Sequence, residues 1–472
     1  MLTIQLFGNK INEIDDRRIR GSADEDDLNA LKSLIAEMGQ HDLSQNNTEG
    51  RAAFYYYLAN AWALKAQLEG EPGYPLNNNE NIEQQILNYR KAKALVVETD
   101  NRYLQCEIYT NLANLFSHLG RSLEAQELYK ECLDIDPSFM MAIGNRGFHL
   151  FHAARFASDS LEQYILLRTS WTHLTKAASS GKIYEAARND FARLASSIEG
   201  IYKVEALRTA ITLPQIHYAI DKKEEQYNRW CAESGLFLNI LNGVFFNVEA
   251  SSCDSLRPCD ETPENIRQIF NNLKQEYTTA RYFVFESMDY LSEHYADRCT
   301  MIVEDTDIEY SVRIEKLKSA FRTFYSLFDK IAYVLNDLLD LQIKPDRVSF
   351  RTIWYEKDRK TLNKKLRDSI DWHLLGLFWM SKDLYDPTFK ENIEPEAKHL
   401  ADIRNHIEHK AIQIVYDLDS PSLPEDFIYK IDYVYFVESV FKLMRLSRSA
   451  LYNLAKAIDL KFHNSYQYKL SI

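Results

Sequence analysis

Glycine and proline are scarce in this chain, at 14 and 11 of 472 residues, and the shortage removes the residues that most readily break a helix. An all-α chain is the expectation. Cysteine is sparse as well: Cys106, Cys132, Cys231, Cys253, Cys259 and Cys299 are dispersed, with no Cys-x-x-Cys pair and no metal-ligand spacing. Neither a disulfide framework nor a zinc knuckle is indicated, and the thiols read as reduced ones in a cytoplasmic protein. No stretch approaches the roughly 20 apolar residues that a membrane span requires, and no apolar run near the amino terminus precedes a cleavage site. The strongest apolar run, Leu374 to Met380, has the length of a core helix. A glycine-rich phosphate loop, a Ser-His-Asp elbow and a Cys-His nucleophile signature are also missing. No cofactor and no metal is called for.

Positive charge is short overall. A formal charge of −13 argues against a generic polyanion binder, because non-specific nucleic-acid affinity rests on a broad basic surface. Any contact with RNA must be local. Between Lys344 and Arg367 the balance reverses, with nine basic residues against Asp346, Glu356 and Asp358. Arg351, Lys357, Arg359, Lys360, Lys364 and Lys365 are the candidate RNA-binding residues there. The plain alternative is a solvated helix face preceded by a charged turn.

What is present is an ordinary globular composition, 46% apolar and 26% charged, long enough for about two to four domains. Tyrosine and phenylalanine number 29 and 24. They suit helices docked through aromatic ridges and also supply rings for stacking on bases.

An internal repeat organises the first half. Tyr109, Leu112, Ala113, Phe116, Gly120, Ala125, Tyr129, Cys132 and Pro137 approximate the offsets of a tetratricopeptide unit, two antiparallel helices in about 34 residues. Small Ala113 and Ala125 let the helices approach, the rings fill the groove between them, and Pro137 ends the second helix. About 34 residues beyond Ala113 lies Gly147, inside Ile143 to His152, the first helix of a next unit. An earlier unit holds Tyr55, Leu58, Ala59 and Trp62 with Tyr89 and Ala92, stretched by the polar turn Glu71 to Asn79. Ser158 to Ser180 and Ile183 to Ile198 are amphipathic closing helices, and a helix near Asp26 to Met38 caps the other end. His149 and His152 sit on a repeat helix and read as structural. Residues 1–45 are thus a cap segment, 46–200 a tetratricopeptide-like solenoid and 201–224 a connecting helix. A solenoid leaves a concave groove free, so a peptide or protein partner is expected there.

Residues 225–472 carry long periodic helices and no repeat. Ala320, Phe324, Leu327, Phe328, Ile331, Val334, Leu335, Leu338 and Leu339 form an apolar stripe over Leu317 to Leu341, with Asp329 and Asn336 on the polar side. Further helices are expected over Ile266 to Tyr295, Thr361 to Lys382, Pro395 to Ile414 and Val434 to Ile458, together a helical bundle.

Arg404, Asn405, His406, Glu408 and His409 fall within little more than two helical turns. Arginine clamps phosphate bidentately and histidine titrates near neutrality, so the pair can handle a phosphodiester. At about 100° per residue Arg404 and His409 stand roughly 140° apart, whereas Asn405 and His409 share a face. Two other readings stay open. Arg404 can simply pair with Glu408 at i, i+4, or His399, Asp402, His406 and His409, at 3, 4, 3 spacing, can hold a metal.

The pattern Arg404-Asn405-x-x-x-His409 resembles the signature of the HEPN superfamily. Arg229 to Asn239, Ala320 to Tyr333 and Ala401 to Lys410 resemble its bacterial branch with tetratricopeptide-like repeats ahead of the bundle, over roughly residues 225 to 460. The resemblance implies an N-terminal solenoid and a C-terminal HEPN-type four-helix bundle. It also implies homodimerisation that joins two Arg-His motifs across a cleft, and metal-independent endoribonuclease activity, often in toxin or antiviral-defence systems. By position Arg404, Asn405 and His409 would be the catalytic residues, with Asp329 as a supporting acid. Against this RNA-cleaving effector stands a non-catalytic adaptor, whose solenoid recruits a protein and whose bundle only dimerises or binds nucleotide.

Overall fold

Short polar side chains begin many of the helices. Asp24, Asn47, Asn79, Asn101 and Asp159 each accept a hydrogen bond from a backbone N–H three residues on, opening α2 (Glu25–Gly39), α3 (Thr48–Leu68), α4 (Glu80–Val96), α5 (Arg102–His118) and α8 (Ser160–Ala178). Each cap satisfies one of the donors that a helix start leaves unpaired. The computed structural model describes residues 2–70, 79–209, 219–245, 253–289, 294–299, 308–358, 360–367, 371–386, 395–416 and 428–462. Two compact units divide the chain, residues 1–211 and 212–471. Among the described residues no helix is long and apolar enough to cross a membrane.

The first unit is an all-helical stack. Helix α1 (Leu2–Ile19) was not foreseen, although Ile4, Phe7, Ile11 and Ile14 give it an apolar stripe that is buried with Leu31, Leu34 and Phe54. Antiparallel pairs follow: α3 with α4, α5 with α6 (Ser122–Ile135), and α7 (Met140–Ala153) with α8. Tyr109, Leu112, Ala113, Phe116, Ala125, Tyr129 and Cys132 are all buried, and Gly120 takes a φ of +75° in the turn between α5 and α6, a conformation that favours glycine. The expected closing segments are α8 and α9 (Glu185–Glu199). Gly147 admits α8 so closely that a Cβ would stand 2.9 Å from Leu174 Cγ. Most of the polar turn after α3 lies outside the described residues. So do residues 210–218 of the expected connecting helix, where the described part holds the short α10 (Val204–Arg208).

The second unit is built around α14 (Val312–Leu338), which packs on α13 (Glu264–Ser287) and α18 (Tyr433–Phe462). Its stripe from Ala320 to Leu338 is buried, with Leu339 partly exposed. Before α13 come α11 (Lys222–Glu233) and α12 (Ile240–Phe245). Arg281 on α13 is buried against Asp254 at 2.7 Å, and Arg448 on α18 donates to the Phe237 and Asn239 carbonyls at 2.8 and 3.2 Å. These bonds tie the segment after α11 to the bundle.

Two expected helices end differently. The Thr361 to Lys382 segment is not continuous: Leu362 pairs with Tyr355 in an isolated bridge, α15 (Lys364–Arg367) is a single turn, and α16 (Trp372–Tyr385) starts afresh. Asp371 causes the restart, accepting from the His373 and Leu374 N–H groups at 2.8 and 3.2 Å. The Pro395 to Ile414 segment is α17 (Pro395–His409) followed by β1 (Ala411–Val415), which runs parallel to β2 (Ile428–Asp432) in the register Ala411 to Ile428 through Val415 to Asp432. β-Branched Ile412, Ile414 and Val415 prefer the pleated surface, and all three are buried there.

Histidines buried in both units make stability depend on pH. The His149 ring lies between Ser117 Oγ, 2.7 Å from Nδ1, and Ser122 Oγ, 2.9 Å from Nε2. Burial first, then the charges of His152, Arg146 and His118, push its pKa down to about 3. Burial does the same to His373 on α16, down to about 3. An unfolded histidine titrates near ~6.5 and takes up a proton there that the folded ring refuses, so stability falls as pH drops from about 6.5 toward 3. Thermal unfolding followed by circular dichroism between pH 7 and 4.5 should show a falling midpoint. In His149→Gln the dependence should be shallower.

Candidate active site

The end of α17 is anchored from below. Leu400 and Ile403 are buried, the helix packs on α14 and α16, and Lys410 donates its backbone N–H to the His406 carbonyl at 3.1 Å before the chain turns into β1. That anchoring decides where each polar side chain goes. His406 points inward at 5% exposure, with Nδ1 2.7 Å from the Asp402 carbonyl and its ring 5.1 Å from that of Tyr429. It is a core histidine. The stripe Asp402, His406, His409 is therefore split between interior and solvent, and no cluster of three metal-ligating side chains occurs among the described residues. The His399 side chain lies outside them.

Arg404 and His409 both reach solvent, with side chains 36% and 68% exposed. The Arg404 guanidinium lies 5.7 Å from the centre of the Tyr325 ring, its Nη1 donates to Asn405 Oδ1 at 3.3 Å, and its Nε is 3.1 Å from Glu408 Oε2. The i, i+4 ion pair is thus present. The same Glu408 oxygen stands 3.6 Å from His409 Nε2, so one carboxylate lies within reach of both the guanidinium and the imidazole. The pair's geometry is poor for a hydrogen bond at Arg404 Nε, and at this exposure such a pair contributes little to stability, about 0–1 kcal/mol.

Below Arg404, Tyr325 meets Tyr385 of α16 edge to face, ring centres 6.2 Å apart. Burial raises both phenols above their ordinary pKa, and the Arg404 charge pulls each back down. Asp329, one turn after Tyr325, accepts the Phe350 N–H with Oδ1 at 2.9 Å. Its carboxylate thus pins the turn that follows α14.

The basic stretch is spread over that turn and beyond. Arg351 is exposed and forms one wall of a cavity of about 150 Å³ shared with Tyr355, Lys382 and Tyr385. Lys357, Lys360 and Lys364 are exposed, and Lys365 is tied to Asp340, with Nζ 3.1 Å from Oδ2. Arg359 lies outside the described residues. The structure joins Arg351 to the Arg404 neighbourhood through Tyr385 and Tyr325, a link that the four lysines do not share among the described residues.

Residues 258–461 match the family described as LA2681-like HEPN. The C-terminal unit carries an LA2681-like HEPN domain. Residues 107–139 match a tetratricopeptide repeat, which spans most of α5 and all of α6. No curated protein and no solved structure matches the chain.

Asp329, Arg351 and the Arg404 to His409 cluster all lie inside the HEPN domain. Sequence reasoning missed Tyr325 and Tyr385, because aromatic residues on apolar helices read as core. The signal for Tyr325 was its place four residues before Asp329, on the same face. Asp329→Ala should leave the Phe350 N–H unsatisfied, costing about 1–3 kcal/mol. Asp329→Asn retains an acceptor, so chemical denaturation should show a clearly smaller loss.

Proposed function

We propose that this protein is a metal-independent endoribonuclease that cleaves RNA through the substrate's own 2′-hydroxyl. The observation that carries the reading is an HEPN domain with Arg404 and His409 both open to solvent at the end of one helix. His409 acts as general base or acid, on the 2′-hydroxyl or on the leaving 5′-oxygen. The 2′-oxygen bonds to phosphorus, the P–O5′ bond breaks, and the products are a 2′,3′-cyclic phosphate and a 5′-hydroxyl. Arg404 stabilises charge on the pentacoordinate phosphorane, with Asn405 holding the guanidinium. Arriving phosphate competes with Glu408 for Arg404, and Glu408 then remains available to orient the imidazole.

One general acid or base supplies about 10²- to 10⁴-fold, so positioning and water exclusion must supply the rest. In one protomer His409 is mostly exposed, and a second copy facing it across a cleft would provide both, which favours a homodimer. The repeat half binds a peptide or protein partner that governs the nuclease, as suits a cytoplasmic toxin or antiviral-defence effector. The Arg404–Glu408 pair favours a second reading, an adaptor in which Arg404 is neutralised within the protomer and the repeats recruit a partner.

Purified protein, incubated with total cellular RNA in excess EDTA, separates the two. Site-selective cuts with cyclic phosphate ends are expected from the native chain, slowed at least about 100-fold in Arg404→Ala and His409→Ala. Equal cutting by all three proteins would remove both residues from the mechanism.

A further inference from the structure

The cavity beside Arg351 has no role in the chemistry above, yet it is built with care. Its outer wall, the turn around Phe350, is held from two sides: Asp329 of α14 accepts the Phe350 N–H at 2.9 Å, and Ser381 of α16 donates to the Phe350 carbonyl at 2.9 Å. Phe350 and Trp354 are buried beneath it. The cavity therefore sits on fixed elements. Two tyrosines, Tyr355 and Tyr385, lend it rings, and Thr352 and Ser381 lend it hydroxyls.

Its charges are unequal. Lys382 is buried and stands 3.2 Å from Asp386, which lines the same cavity, so this pair is internally balanced. Arg351 is exposed at the rim, and among the described residues it makes neither ion pair nor hydrogen bond. An uncommitted guanidinium beside aromatic walls suits an anion attached to a flat ring. At about 150 Å³ the space is well under the roughly 300–1,000 Å³ of sites that enclose a whole drug-sized ligand. It fits one unit of a longer polymer.

We propose that this cavity is a nucleotide subsite, in which one base of single-stranded RNA lies against Tyr355 and Tyr385 while Arg351 holds the adjoining phosphate. The inference deepens the nuclease reading and rests on it for the identity of the polymer. Tyr385 is the physical link, since it lines the cavity on one side and meets Tyr325, the ring under Arg404, on the other. A base seated here sets which phosphate reaches the Arg404 end, so the subsite determines where RNA is cut.

Binding can be tested apart from cleavage with a fluorescent 2′-O-methyl hexaribonucleotide, which lacks the nucleophile. The full chain is titrated at several salt concentrations as native protein, Arg351→Ala and Lys330→Ala, the last a charge-matched control on α14 that pairs with Glu276. Losing Arg351 should weaken binding about 5- to 150-fold and lower the salt slope by about one, with Lys330→Ala unchanged. Ribonucleoside 3′-monophosphates should displace the probe far better than inorganic phosphate. Undiminished binding in Arg351→Ala, no binding by the native chain, or equal displacement by phosphate would each overturn the subsite. Probe binding that depends on Arg351 in a protein that cuts no RNA would leave the subsite standing and remove the nuclease. Cutting by a protein whose probe binding ignores Arg351 would do the reverse.

Discussion

Tyr325 and Asp329 stand one helical turn apart on α14, and that spacing organises everything around the candidate site. Residues four apart share a face. Here one of them supports Arg404 and meets Tyr385, while the other holds the turn that carries Arg351. The face is fixed because the opposite side of α14 is the buried stripe against α13 and α18. A rotation of this helix would expose that stripe and displace both anchors together.

Depth then sorts the histidines of α17. His406 is committed to the interior through Asp402 and Tyr429, and His409, three residues later, is largely in water. Glu408 lies within reach of the two side chains that remain outside, the Arg404 guanidinium and the His409 imidazole. Its pairing with Arg404 gives the site a resting state in which the guanidinium charge is already partnered, and an incoming anion must displace that partner. Exposed charges interact weakly in water and more strongly once water is removed. The Arg404–Glu408 pair is therefore easily exchanged in an open protomer, and any surface that covers the site changes the balance.

Much of this architecture was legible in the residues. The repeat was readable from Tyr109 to Pro137 because each position has a packing reason that survives in the buried core, and the α14 stripe was readable because its period is regular. The cluster from Arg404 to His409 stood out by composition alone. The breaks were harder. Asp371 begins a new helix through a side-chain cap inside a segment whose pattern reads as one helix, and Ile412 to Val415 becomes a strand by pairing with residues well over ten positions later in the chain. Partners that distant leave no local trace. The roles of Tyr325 and Tyr385 were hidden for a related reason, since a ring that supports a guanidinium and a ring that fills a core obey the same spacing.

A single residue, Lys410, separates the end of α17 from the first residue of β1. Strand side chains alternate faces, so one inserted residue there would turn Ile412 and Ile414 outward and their polar neighbours inward. Helix and sheet are locked in phase, and the motif's distance from the sheet cannot drift by one. One residue added after Lys410 would thus cost the burial of both isoleucines at once.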